Sequence, residues 1–151
     1  MAADGWKAYD AMRERSMDGT YDLDTHAFKL ALFLSTSDAA TLGVANSDLA
    51  HLTNQHANAN GYTTGGIALT TVWTISTATM TFDYTNSPVW TAAGGSIVAR
   101  FGVLFNDTHA SDGLMCMTTL DNAPADVTVT TGNTLTVDAN ASGVFTLTGM
   151  T

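Results

Sequence analysis

Beyond about residue 60, apolar and polar residues alternate in short runs that Gly and Asn interrupt. An alternation with a period of two is typical of antiparallel strands with one buried face. The clearest run places these apolar residues on one face: Ile97, Ala99, Phe101, Val103 and Phe105. About seven to nine such strands at this spacing predict a mainly β fold, an antiparallel β-sandwich of the jelly-roll or immunoglobulin-like type.

The start of the chain follows a helical pattern instead. One side of the helical wheel for residues 4–18 carries the larger side chains Trp6, Tyr9, Met12, Arg13 and Met17. This spacing predicts a short N-terminal helix, which Asp4 would cap and Gly19 would end. The two aromatic residues need burial, and the pattern allows either the sheet of the same chain or a neighbouring subunit.

Residues 26–35 predict the first strand, and one of its faces carries Phe28, Leu30, Leu32 and Leu34. Residues 36–60 lack the period-two pattern and end in a stretch rich in Asn, which predicts a long loop. A connection of this length inside a compact domain usually has a use, often contact with another molecule. The chain length predicts a single domain over residues 1–151.

Charge narrows the range of partners. Five basic residues oppose fourteen acidic ones, and the formal net charge is -9. Such a chain repels a phosphate backbone, so we expect no nucleic-acid partner. The apolar runs are shorter than a membrane span, and the N-terminus lacks the apolar core of a signal peptide. We therefore expect a soluble protein made in the cytoplasm, with either a neutral polar surface or a surface hidden against partners.

No segment combines a nucleophile, a base and an orienting group, so the sequence predicts no catalytic residues and no enzyme. The only cysteine, Cys116, lies in an apolar run and is predicted to be buried. The four histidines are scattered and lack metal-ligand spacing, so we expect neither a metal nor a cofactor. They are His26, His51, His56 and His109.

Two sets of acidic residues and two tryptophans raise the question of a calcium site, a glycosidase site or a sugar-binding surface. The acidic residues at 18, 22 and 24 lack the ligand order of a calcium loop and are predicted to form turns. Asp107 and Asp112 bracket a loop, and a glycosidase pair stays open, but the neighbouring turn formers favour a plain turn. Trp73 or Trp90, if exposed, would stack on a sugar, which keeps a carbohydrate-binding module as an alternative function.

Four segments follow one another in a distinctive order. The aromatic helix precedes D-L-D-T at 22–25, G-Y-T-T-G-G-I-A-L at 61–69 and R-F-G-V-L-F-N-D at 100–107. This order resembles a group of small structural proteins of tailed-bacteriophage virions, in which G-Y-T-x-G-G-x-x-L and R-Y-A-V-L-Y-x-D recur. The chain departs from that pattern at Phe101 and Phe105, where Tyr is usual. Its loop at 36–58 also differs from that of the group.

The resemblance implies a virion component, above all a head decoration (cement) protein that binds the outer surface of the head and stabilises the shell. The implied partners are the major capsid protein, further copies of the chain, or both, with a homotrimer as the expected oligomer. A neck, tail or fibre component stays open as an alternative. The acidic charge suits the outside of a capsid better than its DNA side.

Within this hypothesis the N-terminal helix and the loop at 36–60 are the candidate adhesive parts. The residues predicted to contact a partner are Trp6, Tyr9, Arg13, Asn54, His56 and Asn58.

Overall fold

The computed structural model describes residues 5–121 and 126–149, so the predicted cap Asp4 lies outside the described residues. The described chain is mainly β with one short α-helix, as predicted. Helix α1 spans Asp10–Met17, and a 3-10 turn spans Leu49–His51. The strands are β1 (Lys7–Ala8), β2 (Phe28–Phe33), β3 (Ile67–Leu69), β4 (Thr71–Ser76), β5 (Thr79–Tyr84), β6 (Val89–Thr91), β7 (Ile97–Ala99), β8 (Phe101–Asn106), β9 (Gly113–Thr119), β10 (Val127–Val129), β11 (Thr134–Thr136) and β12 (Phe145–Thr148).

The strands form one larger sheet and three small ones. The larger sheet has five strands in the order β1-β9-β8-β2-β3. The small sheets pair β10 with β7, β11 with β6, and β12 with β5 and β4. The pairings between named strands are antiparallel. The small sheets share one apolar core with one face of the five-stranded sheet, which gives the sandwich layering.

The five-stranded sheet is buried on both faces, unlike the one-sided sheet that the alternation predicts. In β2, Leu30 and Leu32 face the small sheets and belong to the first core cluster, which lies between the sheets. Ala31 and Phe33 belong to a second core cluster on the opposite face. Every residue of β8 and β9 is buried. The second cluster is completed by Tyr9 and by apolar residues from the long loop, so this loop covers a face that would otherwise meet water.

The predicted strand at 97–105 is divided between two sheets. Its first part, β7, pairs with β10, and its second part, β8, pairs with β2 and β9. The change takes place at Arg100, whose backbone N–H donates to the carbonyl of Phe33 over 2.7 Å. As a result Ile97 lies in the first core cluster, whereas Phe101 lies in the second, although the two residues have the same parity.

The helix is shorter than the predicted 4–18. Its first residues pair instead with β9, Lys7 opposite Met117 and Ala8 opposite Cys116. Strand pairing satisfies backbone groups that a helix start would leave without partners, which accounts for the shift. Tyr9 is the N-cap residue in an extended conformation. Gly19 follows the helix with a φ of 81°, as the predicted C-terminal stop requires.

The long loop packs along the sheet. The amide of Leu34 donates to the carbonyl of Asn54 and the amide of His56 donates to that of Leu32, so the end of the loop runs beside β2. Within the loop, Asp48 forms an isolated bridge with Gly113 at the start of β9. Apolar residues of the loop therefore form a wall of the protein's own core. Its exposed residues, Asn54 and Asn58 among them, stay candidates for contact with a partner.

Candidate interaction surface

Two of the predicted contact residues are buried in the core of the chain itself. Tyr9 has no exposed surface, and its hydroxyl donates a hydrogen bond to the carbonyl of Ala39 over 2.6 Å. His56 is buried as well, with its ring centre 4.9 Å from that of Tyr62. These side chains hold the N-terminal segment and the long loop in place. Neither is accessible to a partner in this conformation, which corrects their assignment as contact residues.

The other predicted contact residues reach the surface at least in part. Arg13 is exposed and forms an ion pair of 2.7 Å with Asp10 on the same helix. Asn54 is exposed, and its side-chain amide donates to the carbonyl of Thr36. Asn58 is exposed, whereas Trp6 is half-buried. Contacts within the chain account for Arg13 and Asn54, so they do not by themselves define a binding site.

A stronger candidate is an apolar surface that the sequence did not predict. Met17, Ile75 and Leu147 are large apolar residues with exposed fractions of 76%, 68% and 44%. All three line one open groove of about 450 Å³, together with Met80. We call these four residues the apolar overhang. Clustered exposed apolar residues mark interaction surfaces far more often than single ones do.

The overhang arises because the three-stranded sheet extends beyond the core. Ile75, Met80 and Leu147 lie opposite one another on β4, β5 and β12. The row two residues further along the strands is Trp73, Phe82 and Phe145, which packs in the first core cluster. Residues two apart on a strand point to the same face. The overhang is therefore a continuation of the core-facing side into solvent.

The strand segments that form the overhang carry no charge, although Met17 adjoins Asp18 at the end of α1. The sequence from 67 to 82 and from 139 to 149 contains no charged residue, although the chain as a whole has a net charge of -9. The adjoining strands β4 and β12 are the outer strands of their sheet. An uncharged apolar face beside strand edges suits contact with another protein surface, because burying it requires no desolvation of charge.

A polar cluster lies at the junction of α1, the long loop and β9. The guanidinium of Arg15 donates to Asp48 over 2.7 Å and to the hydroxyl of Tyr21 over 3.0 Å. Burial opposes the charge on Asp48, but the hydrogen bonds from Arg15 and Ser47 outweigh it, and the pKa of Asp48 is lowered. The ion pair fastens the helix to the loop.

The cluster has a Ser, a His and an Asp close together, but not in the order of a catalytic relay. The hydroxyl of Ser47 and the carboxylate of Asp48 approach the same ring nitrogen, Nδ1 of His51, at 3.2 and 3.8 Å. A relay needs the two partners on opposite ring nitrogens. That nitrogen also faces the backbone N–H of Asp48 at 3.3 Å, which makes it a cap of the 3-10 turn.

The acidic residues tested for chemistry have local partners. Asp22 accepts hydrogen bonds from the amides of Asp24 and Thr25, a turn arrangement as predicted. Asp107 forms an ion pair with Lys29 at 2.8 Å. Burial, and then the charge of Asp107, raise the pKa of Asp112. In the part of the chain that the structure describes, no group of three or more His, Cys, Asp or Glu is placed to hold a metal ion.

The indoles predicted as sugar platforms are largely enclosed. Trp90 is buried against Tyr62, and Trp73 is half-buried between Phe82 and Phe145. Cys116 is buried, as predicted, and burial raises the pKa of its thiol to about 12. Trp90 has no open face for a ligand, and Trp73 presents only part of its ring.

Sequence reasoning missed the overhang because Ile75 and Leu147 have the parity of core residues. The alternation assigns them to the interior. They are exposed because the sheet is longer than the core that it covers, and the alternation does not report that length. The absence of charge over 67–82 was the signal in the sequence that pointed to this region.

Comparisons of the chain with protein-family models, with curated proteins and with solved structures gave no match. Over residues 5–121 and 126–149, no helix has the length and hydropathy needed to cross a membrane.

Proposed function

We propose that this chain is a non-enzymatic structural component of a tailed-phage virion, and that it decorates the outside of the head and stabilises the shell. The observation that supports an adhesive role is the apolar overhang, where Ile75 and Leu147 stand exposed beside Met80. The order of sequence segments that resembles phage virion proteins supports the virion as the setting.

The occupant of the overhang in this proposal is the major capsid protein. An acidic protein attaches with least repulsion through the part of its surface that lacks charge, and the sheet end is such a part. Attachment to the assembled shell, and not to its unfolded subunits, stabilises the shell by mass action. Further copies of the chain would sit side by side on the shell, in keeping with the expected homotrimer.

The test uses empty shells that lack the protein, with purified chain added back. Wild-type protein should co-sediment with the shells and raise their melting temperature in calorimetry. The double variant Ile75→Thr/Leu147→Thr should bind at least about tenfold more weakly, because it loses two apolar side chains from the contact. Threonine preserves strand propensity, so the variant should fold.

The matched control is Val89→Thr, which removes an exposed apolar side chain (48%) outside both the groove and the long loop. It should bind like the wild type. Shells that neither bind the wild-type chain nor melt later would contradict a decoration role. A double variant that binds normally would show that another surface makes the contact. A copy number of about a dozen per particle, in place of hundreds, would favour the neck or tail.

A further inference from the structure

A second concave site lies away from the overhang, beside Trp6. Its volume is about 370 Å³, within the range of about 300–1,000 Å³ that small-molecule sites occupy. Its walls come from the segment before β1, the end of β9, the start of β10, and β11 with the residues after it. We call it the Trp6 cleft. Walls from separate chain segments are typical of ligand sites, because they let unlike side chains converge.

Trp6 is held in a defined position. It directly precedes β1, which is pinned by its pairing with β9. Its ring meets that of Tyr84 edge to face, with the centres 6.3 Å apart. The hydroxyl of Tyr84 in turn donates to the carbonyl of Val137 over 3.0 Å, and Val137 lines the cleft. The indole is therefore a half-buried apolar wall set before any ligand arrives.

Apolar side chains form the base of the cleft beside Trp6, and they are Leu120, Val127, Leu135, Val137 and Ala139. The remaining part of the lining is polar and bears one negative charge. Asp138 and Asn140 are exposed side chains at the cleft, and Thr118 and Thr136 also line it. The side-chain oxygen of Asn140 accepts from the amide of Ser142 over 3.3 Å, which fixes the orientation of the side chain. A carboxylate, an amide and two hydroxyl residues offer both donors and acceptors.

The charge and the aromatic content decide between ligand classes. None of the described residues that line the cleft is basic, and the chain is strongly acidic, so anions are disfavoured. Trp6 is the single aromatic residue in that described lining, whereas cages for organic cations use several rings. A sugar ring has an apolar face of C–H groups for an indole and hydroxyls for a carboxylate and an amide.

We infer that the Trp6 cleft binds a neutral sugar ring, with the ring on Trp6 and its hydroxyls toward Asp138 and Asn140. This property goes beyond shell attachment and uses a different face from the overhang. One ring with a few hydrogen bonds implies a dissociation constant in the millimolar range.

The experiment is a titration of the ¹⁵N-labelled chain, followed by NMR. The probes are methyl β-glucoside, methyl β-galactoside and methyl N-acetyl-β-glucosaminide, each raised to tens of millimolar. At least one probe should shift the indole N–H signal of Trp6 and the side-chain amide of Asn140 to saturation. The indole signals of Trp73 and Trp90 serve as internal references and should stay in place.

Asn140→Ala should weaken binding of that probe about fivefold, the effect of one lost hydrogen bond. Asn58→Ala, which removes an exposed amide outside the cleft, should leave binding unchanged. The inference is overturned if none of the three glycosides gives a saturable shift, if shifts appear at Trp73 instead, or if choline saturates the cleft and the glycosides do not.

Shell binding separates this inference from the proposed function. Asn140→Ala should attach to shells like the wild type. Loss of shell attachment in Asn140→Ala would show that the cleft is a capsid contact, which overturns the sugar site and leaves the decoration role standing.

Discussion

At the scale of single residues, Gly66 shows how closely two segments approach. It precedes β3 with a φ of 73°, and a β-carbon there would collide with the backbone carbonyl of Leu30 in β2. Gly132 has a similar φ of 89°, but nothing lies within 4 Å of the position of its β-carbon. The pair separates the cost of backbone conformation from the cost of steric contact.

Gly66→Ala should lower the free energy of unfolding by more than about 2 kcal/mol, because strain and collision add. Gly132→Ala should lower it by about 1 kcal/mol, from the backbone conformation alone. Urea unfolding followed by circular dichroism measures both. Equal effects of the two substitutions would contradict the close approach of β3 to β2.

The sequence correctly indicated a break in the strand pattern just before β3. Gly65 and Gly66 both have positive φ, in keeping with the turn that the pair indicates. Burial of Cys116 was equally predictable from its apolar neighbours. The burial of Tyr9 and His56 by their own chain was not predictable, because a sequence pattern does not show which surface a polar or aromatic residue will contact.

At the scale of elements, the ion pair between Arg15 and Asp48 joins α1 to the long loop, and its side chains are only 20% and 14% exposed. The pair Arg13–Asp10 has the same 2.7 Å separation but exposed side chains within one helix. Half-buried pairs with further hydrogen bonds contribute more than solvent-exposed ones. The first pair therefore governs the docking of the helix, and the second does not.

Asp48→Asn should lower the free energy of unfolding at pH 7 by about 1–3 kcal/mol, since Arg15 loses a charged partner. The pKa of Asp48 is lowered in the folded state, so its contribution is present above the unfolded pKa of about 3.9 and is lost as the pH falls through the folded pKa. The difference between wild type and variant should therefore shrink below about pH 4.

Asp10→Asn is the matched control and should cost less than about 1 kcal/mol. Urea midpoints measured from pH 7 down to the acid transition provide the comparison. A difference for Asp48→Asn that stays constant across this range would show that its carboxylate does not titrate with folding.

The sequence predicted the type of the elements well, but it predicted less well which strands pair with one another. Alternation identified the strands, but it read 97–105 as one strand, whereas the chain changes sheets at Arg100. The same parity rule placed Ile75 and Leu147 inside. Both errors have one cause: periodicity reports which residues share a face and not which layer that face will contact.

At the scale of the whole molecule, β8 and β9 are the shared wall of both core clusters. Every residue in them is buried, whereas three of the four residues of β12 are exposed. Local stability in such a fold differs from strand to strand. Opening an end of a sheet exposes few buried side chains, whereas opening β8 or β9 exposes the whole core.

Hydrogen exchange should show this gradient. The amides of β8 and β9 should exchange only through global unfolding, and those of β12 should exchange through local opening at rates that barely depend on denaturant. Two-dimensional NMR in increasing urea measures each amide. Protection in β12 equal to that in β9 would contradict a graded structure and would suggest that the overhang is covered in solution.

The strand order also has a consequence for synthesis on the ribosome. β1 pairs with β9, β2 with β8, and β5 with β12, so each of these early strands has a partner that is translated much later. The apolar residues of β2 leave the exit tunnel long before β8 is translated. We therefore expect β2 to stay without its central partner until β8 emerges, with chaperones shielding its apolar residues on the nascent chain.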